Sequence, residues 1–91
     1  MVEHQPEQQR FVIRHGDQIA HLDYLLSADQ IDFVHTWTPP ALRGQGLAAE
    51  LVAAGIGWAR LQPMAIHASC SYVREWLTRE QSAGRGNVDR E

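Results

Sequence analysis

The 91-residue chain contains no lysine and a single cysteine, Cys70. One cysteine cannot form an internal disulfide, which is typical of proteins from a reducing compartment. All eight basic residues are arginine, they form no run, and the formal net charge is −3. Nucleic-acid binding needs a clustered basic surface, so the sequence disfavours that class of function.

Long apolar stretches are also missing from the sequence. Nowhere do about 18 apolar residues run together, and the first ten residues contain no apolar segment of the signal-peptide type. We therefore expect a soluble, cytoplasmic protein that binds no membrane. The hydrophobic fraction of 44% is typical of a globular protein, and the length suits one domain with a small core, as a monomer or a weak homodimer.

Composition along the chain predicts three parts. Residues 1–10 are mostly polar and predict a flexible arm, and residues 11–80 contain the periodic apolar pattern of a single domain. Residues 81–91 hold two glycines and few groups that could pack, so we expect a disordered tail there.

The first half of the domain has the pattern of β-strands. Apolar residues begin at 11–13, and residues 19–26 and 31–38 alternate in the manner of half-buried strands separated by turns. In the second strand we expect Ala20, Leu22, Tyr24 and Leu26 to face the core. Three such strands in succession predict an antiparallel meander.

The second half changes to helical periodicity. Residues 47–61 form an amphipathic pattern that ends before Pro63, residues 64–69 suit a short strand, and residues 71–80 suit a short second helix. A strand, a helix and a further strand predict a parallel pair with a crossover helix, so we expect an α/β (α+β) fold with a mixed, mainly antiparallel sheet. Gly55 and Gly57 lie inside the first helix and indicate close contact between helix and sheet.

The junction between the third strand and the first helix suggests an anion site. Unpaired amides at the start of a helix attract anions, and glycines there let a phosphate approach the backbone closely. An arginine adds a fixed positive charge. The residues of this junction that we predict to bind a diphosphate are Arg43, Gly44, Gln45, Gly46, Leu47 and Ala48.

Two known phosphate motifs fit this junction poorly. A Walker A loop requires a lysine, which the chain lacks. Gly44, Gly46 and Ala49 do match the glycine pattern of a Rossmann fingerprint, but the following strand has no acidic residue and the chain is too short for two mononucleotide halves. The glycines could also serve only as a tight connection.

The stretch RGQGLA, placed after a meander and at the start of an amphipathic helix, resembles the coenzyme A pyrophosphate loop of the GNAT superfamily of N-acetyltransferases. The order HTWTPPALRGQGLAAELV (35–52), then an alanine-rich helix, then SCSYV (69–73) is similar to the small YjdJ-type branch of that superfamily. The resemblance spans roughly residues 11–80. It implies a compact acetyltransferase-like fold and acetyl-coenzyme A as co-substrate.

The resemblance also implies roles for individual residues. The coenzyme would pair with the backbone near Trp37 and Thr38, and its acetyl group would be transferred near Cys70, since a cysteine in this motif of the branch is proposed as an acetyl acceptor. The acceptor would be an amine, either a small molecule such as a polyamine or a protein lysine, and it would attack the thioester directly or receive the acetyl group from Cys70. His35, on the third strand, is a candidate acid or base, and His67 on the last strand is an alternative.

Less specific interpretations remain open for the same residues. Cys70 could be a small packed side chain, the histidines could be ordinary surface residues, and Trp37 could be a core anchor. Trp37 also stands where the branch often has Glu, a difference that favours a non-catalytic coenzyme A binding module. A small interaction protein is a third possibility. The spacing of the five histidines fits no metal motif, so no metal site is predicted.

Overall fold

The computed structural model describes the backbone of residues 1–89 and the side chains of residues 1–81. A five-stranded sheet has the order β1-β2-β3-β4-β5. The elements in chain order are β1 (Val2–Gln5), β2 (Arg10–His15), β3 (Gln18–Ser27), β4 (Gln30–Trp37), a 3-10 turn (Pro40–Leu42), α1 (Leu47–Arg60), β5 (Ala65–Ala68) and α2 (Ser71–Asp89).

The sheet is mixed and mainly antiparallel, which confirms the predicted fold class. Strands β1 to β4 pair antiparallel as a meander, and β5 pairs parallel to β4 after the crossover through α1. The parallel pair is short, because β5 lies beside Gln30 to Phe33 only. The second half of β4 therefore has no strand neighbour on the β5 side among the described residues.

One face of the sheet packs against the helices. Helix α1 contacts all five strands, and α2 contacts α1, β4 and β5. Gly55 of α1 allows close approach to the sheet, because a Cβ atom there would lie 2.9 Å from Leu22 Cδ2 and 3.1 Å from Phe33 Cε1. Gly57 has no such neighbour and is exposed, so the expected close contact holds for Gly55 alone.

The first residues are not a flexible arm, and that prediction is wrong. They form β1, whose alternation turns Val2 and His4 toward the helices. The His4 ring stacks on Phe11 with 4.1 Å between centroids, and its Nε2 lies 2.6 Å from the Tyr24 hydroxyl. The edge strand is thus fixed by ladder hydrogen bonds and by aromatic contacts.

Two further features differ from expectation, the burial of Leu26 and the end of α2. Leu26, expected in the core, is 45% exposed, because β2 pairs with β3 only as far as Asp23 and leaves Leu26 with a strand neighbour on one side alone. Helix α2 continues past the predicted end at residue 80 to Asp89, so the predicted disordered tail is helical up to that residue. Its glycines weaken a helix without blocking one as proline would. Residues 90 and 91 lie outside the described residues.

No helix within the described range is long and apolar enough to cross a membrane.

Candidate functional site

A cleft of about 370 Å³ lies where β4 runs past the end of β5 and where α1 begins. It is lined by seven of the predicted coenzyme-binding residues: Trp37, Thr38, Arg43, Gly44, Gly46, Leu47 and Ala48. Gln45 does not line the cleft. Four other residues also line the cleft and were not predicted to bind the coenzyme, namely Thr36, Leu42, Ala49 and Tyr72.

The glycine loop has the conformation that its sequence favours. Gly44 and Gly46 have φ angles of +85° and +76°, in the left-handed region that other residues enter at a cost. Gly46 is the N-cap of α1, and no side chain caps the helix. The amides of the first helical residues are therefore open toward the cleft, together with the positive end of the helix dipole. This arrangement suits a phosphate group.

Arg43 adds positive charge at the rim of the cleft. Its Nε donates a hydrogen bond to the Thr38 carbonyl oxygen at 3.0 Å. The guanidinium carbon lies 5.2 Å from the centroid of the Trp37 ring, a cation–π arrangement. Trp37 is 41% exposed, so it is a wall of the cleft and not a core anchor.

A β-bulge in the β3–β4 pair decides which side chains of β4 face the cleft. Tyr24 pairs with Phe33 and Asp23 pairs with His35, so β4 contains one extra residue at this point. Before the bulge, Phe33 faces the helices. After it, Thr36 does so, opposite the fully buried Leu22.

The same bulge turns His35 to the other face of the sheet. His35 is exposed and pairs with Asp23, and its ring centroid lies 5.9 Å from that of His21. His67 is also exposed and lies beside Asp32. Strict alternation through β4 would not reveal this change of face. The structure does not bring His35 or His67 to the cleft.

Cys70 lies directly before α2, at the N-cap position. Its amide donates to the Phe33 carbonyl oxygen at 3.0 Å, and its carbonyl oxygen accepts from the Arg74 amide at 3.0 Å. These two bonds fix the residue between β4 and the first turn of α2. The predicted placement of Cys70 at the junction of strand and helix is correct.

The sulfur of Cys70 has several hydrogen-bond donors around it. Thr36 Oγ1 lies 3.3 Å from Sγ, and hydrogen bonding from the backbone of Val73, Tyr72 and Thr36 adds to its effect on the pKa of the thiol. Burial alone would raise the pKa of the Cys70 thiol, but these hydrogen bonds outweigh burial and lower the pKa below its ordinary value. The half-buried thiol is therefore disposed to ionise.

Comparisons with known proteins identify the family. Residues 10–85 match the family model described as GCN5-related N-acetyl-transferase. The chain belongs to this family.

A solved structure agrees with the assignment. The solution NMR structure of a GCN5-like N-acetyltransferase candidate from Staphylococcus aureus is 27% identical in sequence, with a TM-score of 0.68. The match covers 90% of this chain and 81% of that chain. No curated protein matches the sequence significantly. Within the part of the chain that the structure describes, no cluster of three or more side chains could hold a metal ion.

Proposed function

We propose that this protein binds acetyl-coenzyme A in the cleft and transfers the acetyl group to an amine. The observation that carries the proposal is the uncapped start of α1 behind Gly44 and Gly46, whose left-handed backbone leaves the helix amides open to an anion. Membership of the N-acetyltransferase family supports the same ligand. The diphosphate would bind these amides, with Arg43 contributing charge.

The unpaired edge of β4 offers a place for the rest of the coenzyme. Its pantetheine arm contains amide groups, which can pair with a free strand edge as an added strand does. The edge begins after Phe33, where the pairing with β5 ends, and continues to Trp37 and Thr38 on the wall of the cleft. Arg43 would release the Thr38 carbonyl oxygen when this edge is used.

The chemistry would proceed through Cys70 in two steps. The Cys70 thiolate attacks the carbonyl carbon of the thioester, a bond forms between that carbon and Sγ, and the bond to the coenzyme sulfur breaks. The coenzyme leaves as a thiolate and takes a proton from water. An uncharged amine then attacks the acetyl carbon, the bond to Sγ breaks, and the nitrogen loses its proton to water. The acceptor is a small amine or a protein lysine.

A second candidate function is coenzyme binding without catalysis. Of the described residues that line the cleft, only Arg43 and Tyr72 are ionisable, so no carboxylate or imidazole is available there to accept a proton from the amine. Trp37 occupies the position where the sequence resemblance would often place a Glu. These two observations favour a module that binds the coenzyme and does not turn over.

Mass spectrometry separates the two functions. Incubation with acetyl-coenzyme A and no amine should add one acetyl group to the chain, and the single cysteine makes the assignment to Cys70 direct. A competent amine should remove the label. Cys70→Ala should still bind the coenzyme but should not become labelled, and Cys70→Ser should label far more slowly because a hydroxyl ionises less readily.

Each alternative result has a defined meaning. Binding without label or turnover over a panel of amines would favour the non-catalytic module. Full turnover by Cys70→Ala would mean that the amine attacks the thioester directly. Absence of binding would contradict both functions.

A further inference from the structure

Thr36 has an unusual position in β4 that the sequence pattern does not indicate. The bulge places it on the helix-facing side of the sheet, where its register partner is the buried Leu22. Because β5 ends beside Phe33, no strand covers the edge of β4 at Thr36 within the described residues. Its side chain is half-buried and lines the cleft, with Oγ1 3.3 Å from Cys70 Sγ.

The Thr36 hydroxyl lies within hydrogen-bond distance of the Cys70 sulfur. Backbone hydrogen bonding from Thr36, and from Tyr72 and Val73 in the first turn of α2, also lowers the pKa of the thiol. Thr36 is the one side chain among the described residues that hydrogen-bonds to this sulfur. A thiolate can only accept hydrogen bonds, so the Thr36 hydroxyl is a donor whenever Cys70 is ionised.

Two charged side chains on the elements around Cys70, Arg74 and Asp32, are engaged in other hydrogen bonds. The Arg74 guanidinium donates to the carbonyl oxygens of Ala68 and Ser69 at 3.2 and 3.1 Å. On β4, the Asp32 carboxylate accepts from the Ser69 amide and hydroxyl at 2.8 and 2.7 Å. On β5, His67 is exposed beside Asp32, and on α2 the ionisable Tyr72 lines the cleft.

We propose that Thr36, which lines the cleft, is a positioning residue that holds the Cys70 sulfur directly behind the cleft wall and stabilises its thiolate through the hydroxyl hydrogen bond. The inference rests on the proposed function, in which this thiolate receives the acetyl group. Thr36 transfers no proton in either step. Its hydroxyl donates to one lone pair of the sulfur. This hydrogen bond fixes the orientation of the Cys70 side chain while the bond between Sγ and the acetyl carbon forms and breaks.

The test needs neither coenzyme nor amine. Ionisation of the single thiol is followed by the ultraviolet absorption of the thiolate across pH, and its reactivity by alkylation with iodoacetamide. Thr36→Val keeps the shape of the side chain and removes the hydroxyl. We expect ionisation at higher pH and alkylation about tenfold slower near neutral pH, because a hydrogen bond to a charged acceptor at the lower end of its usual strength corresponds to that factor.

Two controls separate this effect from a structural one. Thr36→Ser should restore ionisation and alkylation nearly to the native values, since it keeps the donor. Thr78→Val removes a threonine hydroxyl further along α2, where it donates to the Arg74 carbonyl oxygen, and should leave both unchanged. A measurement at high pH adds a further check. There the thiol is fully ionised in every variant, so Thr36→Val and the native protein should react at similar rates. A variant that merely hides the thiol would stay slower at all pH values.

An unchanged ionisation curve for Thr36→Val would overturn the inference, whatever happens to acetyl transfer. Loss of acetylation in the native protein, with the ionisation difference intact, would instead contradict the proposed function alone. If Thr36→Val does not fold, Thr36→Ala replaces it. If neither folds, the native protein is compared with its denatured chain, and equal ionisation of the thiol in both would also overturn the inference.

Discussion

Gly55 provides a sharp test of how closely α1 packs on the sheet. An added methyl group would lie 2.9 Å from Leu22 and 3.1 Å from Phe33, and both of these side chains are fully buried. Overpacking of this kind costs about 1–3 kcal/mol, with the upper half of that range expected where neighbours cannot move. Ala in a helix is about 1 kcal/mol more favourable than Gly. We therefore expect Gly55→Ala to lower the free energy of unfolding by about 1–2 kcal/mol.

Gly57 is the matched control, because it lies on the exposed side of the same helix, where an added methyl group would meet no packing neighbour within 4 Å. Gly57→Ala should raise the free energy of unfolding by up to about 1 kcal/mol, since only the helix preference changes. In thermal unfolding, each 1 kcal/mol corresponds to about 4–8 °C for a domain of this size, so the two variants should shift in opposite directions. Equal stabilisation by both substitutions would refute the close packing.

Three further predictions concern the β1 edge and the cleft. Burial lowers the pKa of His4, so the folded state favours the neutral ring. The stability that neutral His4 contributes is therefore complete above the pKa of the unfolded chain, about 6.5, and is lost as the pH falls through the lower pKa of the folded state. His4→Gln should therefore reduce the drop in melting temperature between about pH 7.5 and pH 5, and an unchanged drop would contradict this. Arg43→Ala should weaken coenzyme A binding by about 1.5–3 kcal/mol in calorimetry, whereas an unchanged dissociation constant would mean that the guanidinium stays on Trp37. Gly44→Ala should lower the free energy of unfolding in urea by about 1–2 kcal/mol because of its left-handed φ, and a neutral effect would argue against that conformation.

The loop at the start of α1 could be predicted because its properties depend on residues close in sequence. A strand that ends at two prolines, two glycines and a new helical period together indicate a turn that opens onto helix amides. The left-handed conformations of Gly44 and Gly46 agree with that prediction. The position of Cys70 before the last helix could be predicted for the same reason, because it also depends on residues close in sequence.

The faces of β4 could not be predicted, because the bulge depends on the pairing of two strands. Alternation alone places His35 on the same side as Phe33, and one extra residue in β4 reverses the order beyond that point. As a result, Thr36 reaches Cys70 and His35 does not.

The strand β1 was missed for a related reason. Its sequence is short and polar, and the contacts that hold the strand in place come from elements distant in the chain. His4 contacts Phe11 of β2, Tyr24 of β3 and Trp58 of α1. A local pattern contains none of these partners.

Binding of coenzyme A at the start of α1 is the central claim, and an NMR titration of the backbone amides tests it most directly. Coenzyme A should shift the amide signals of Gly44, Gly46, Leu47 and Ala48 in a saturable way, and these shifts should be absent in a folded Gly46→Val variant, whose branched side chain restricts the turn and blocks the approach of phosphate. Saturable shifts confined to other regions, or none at millimolar ligand, would contradict the claim.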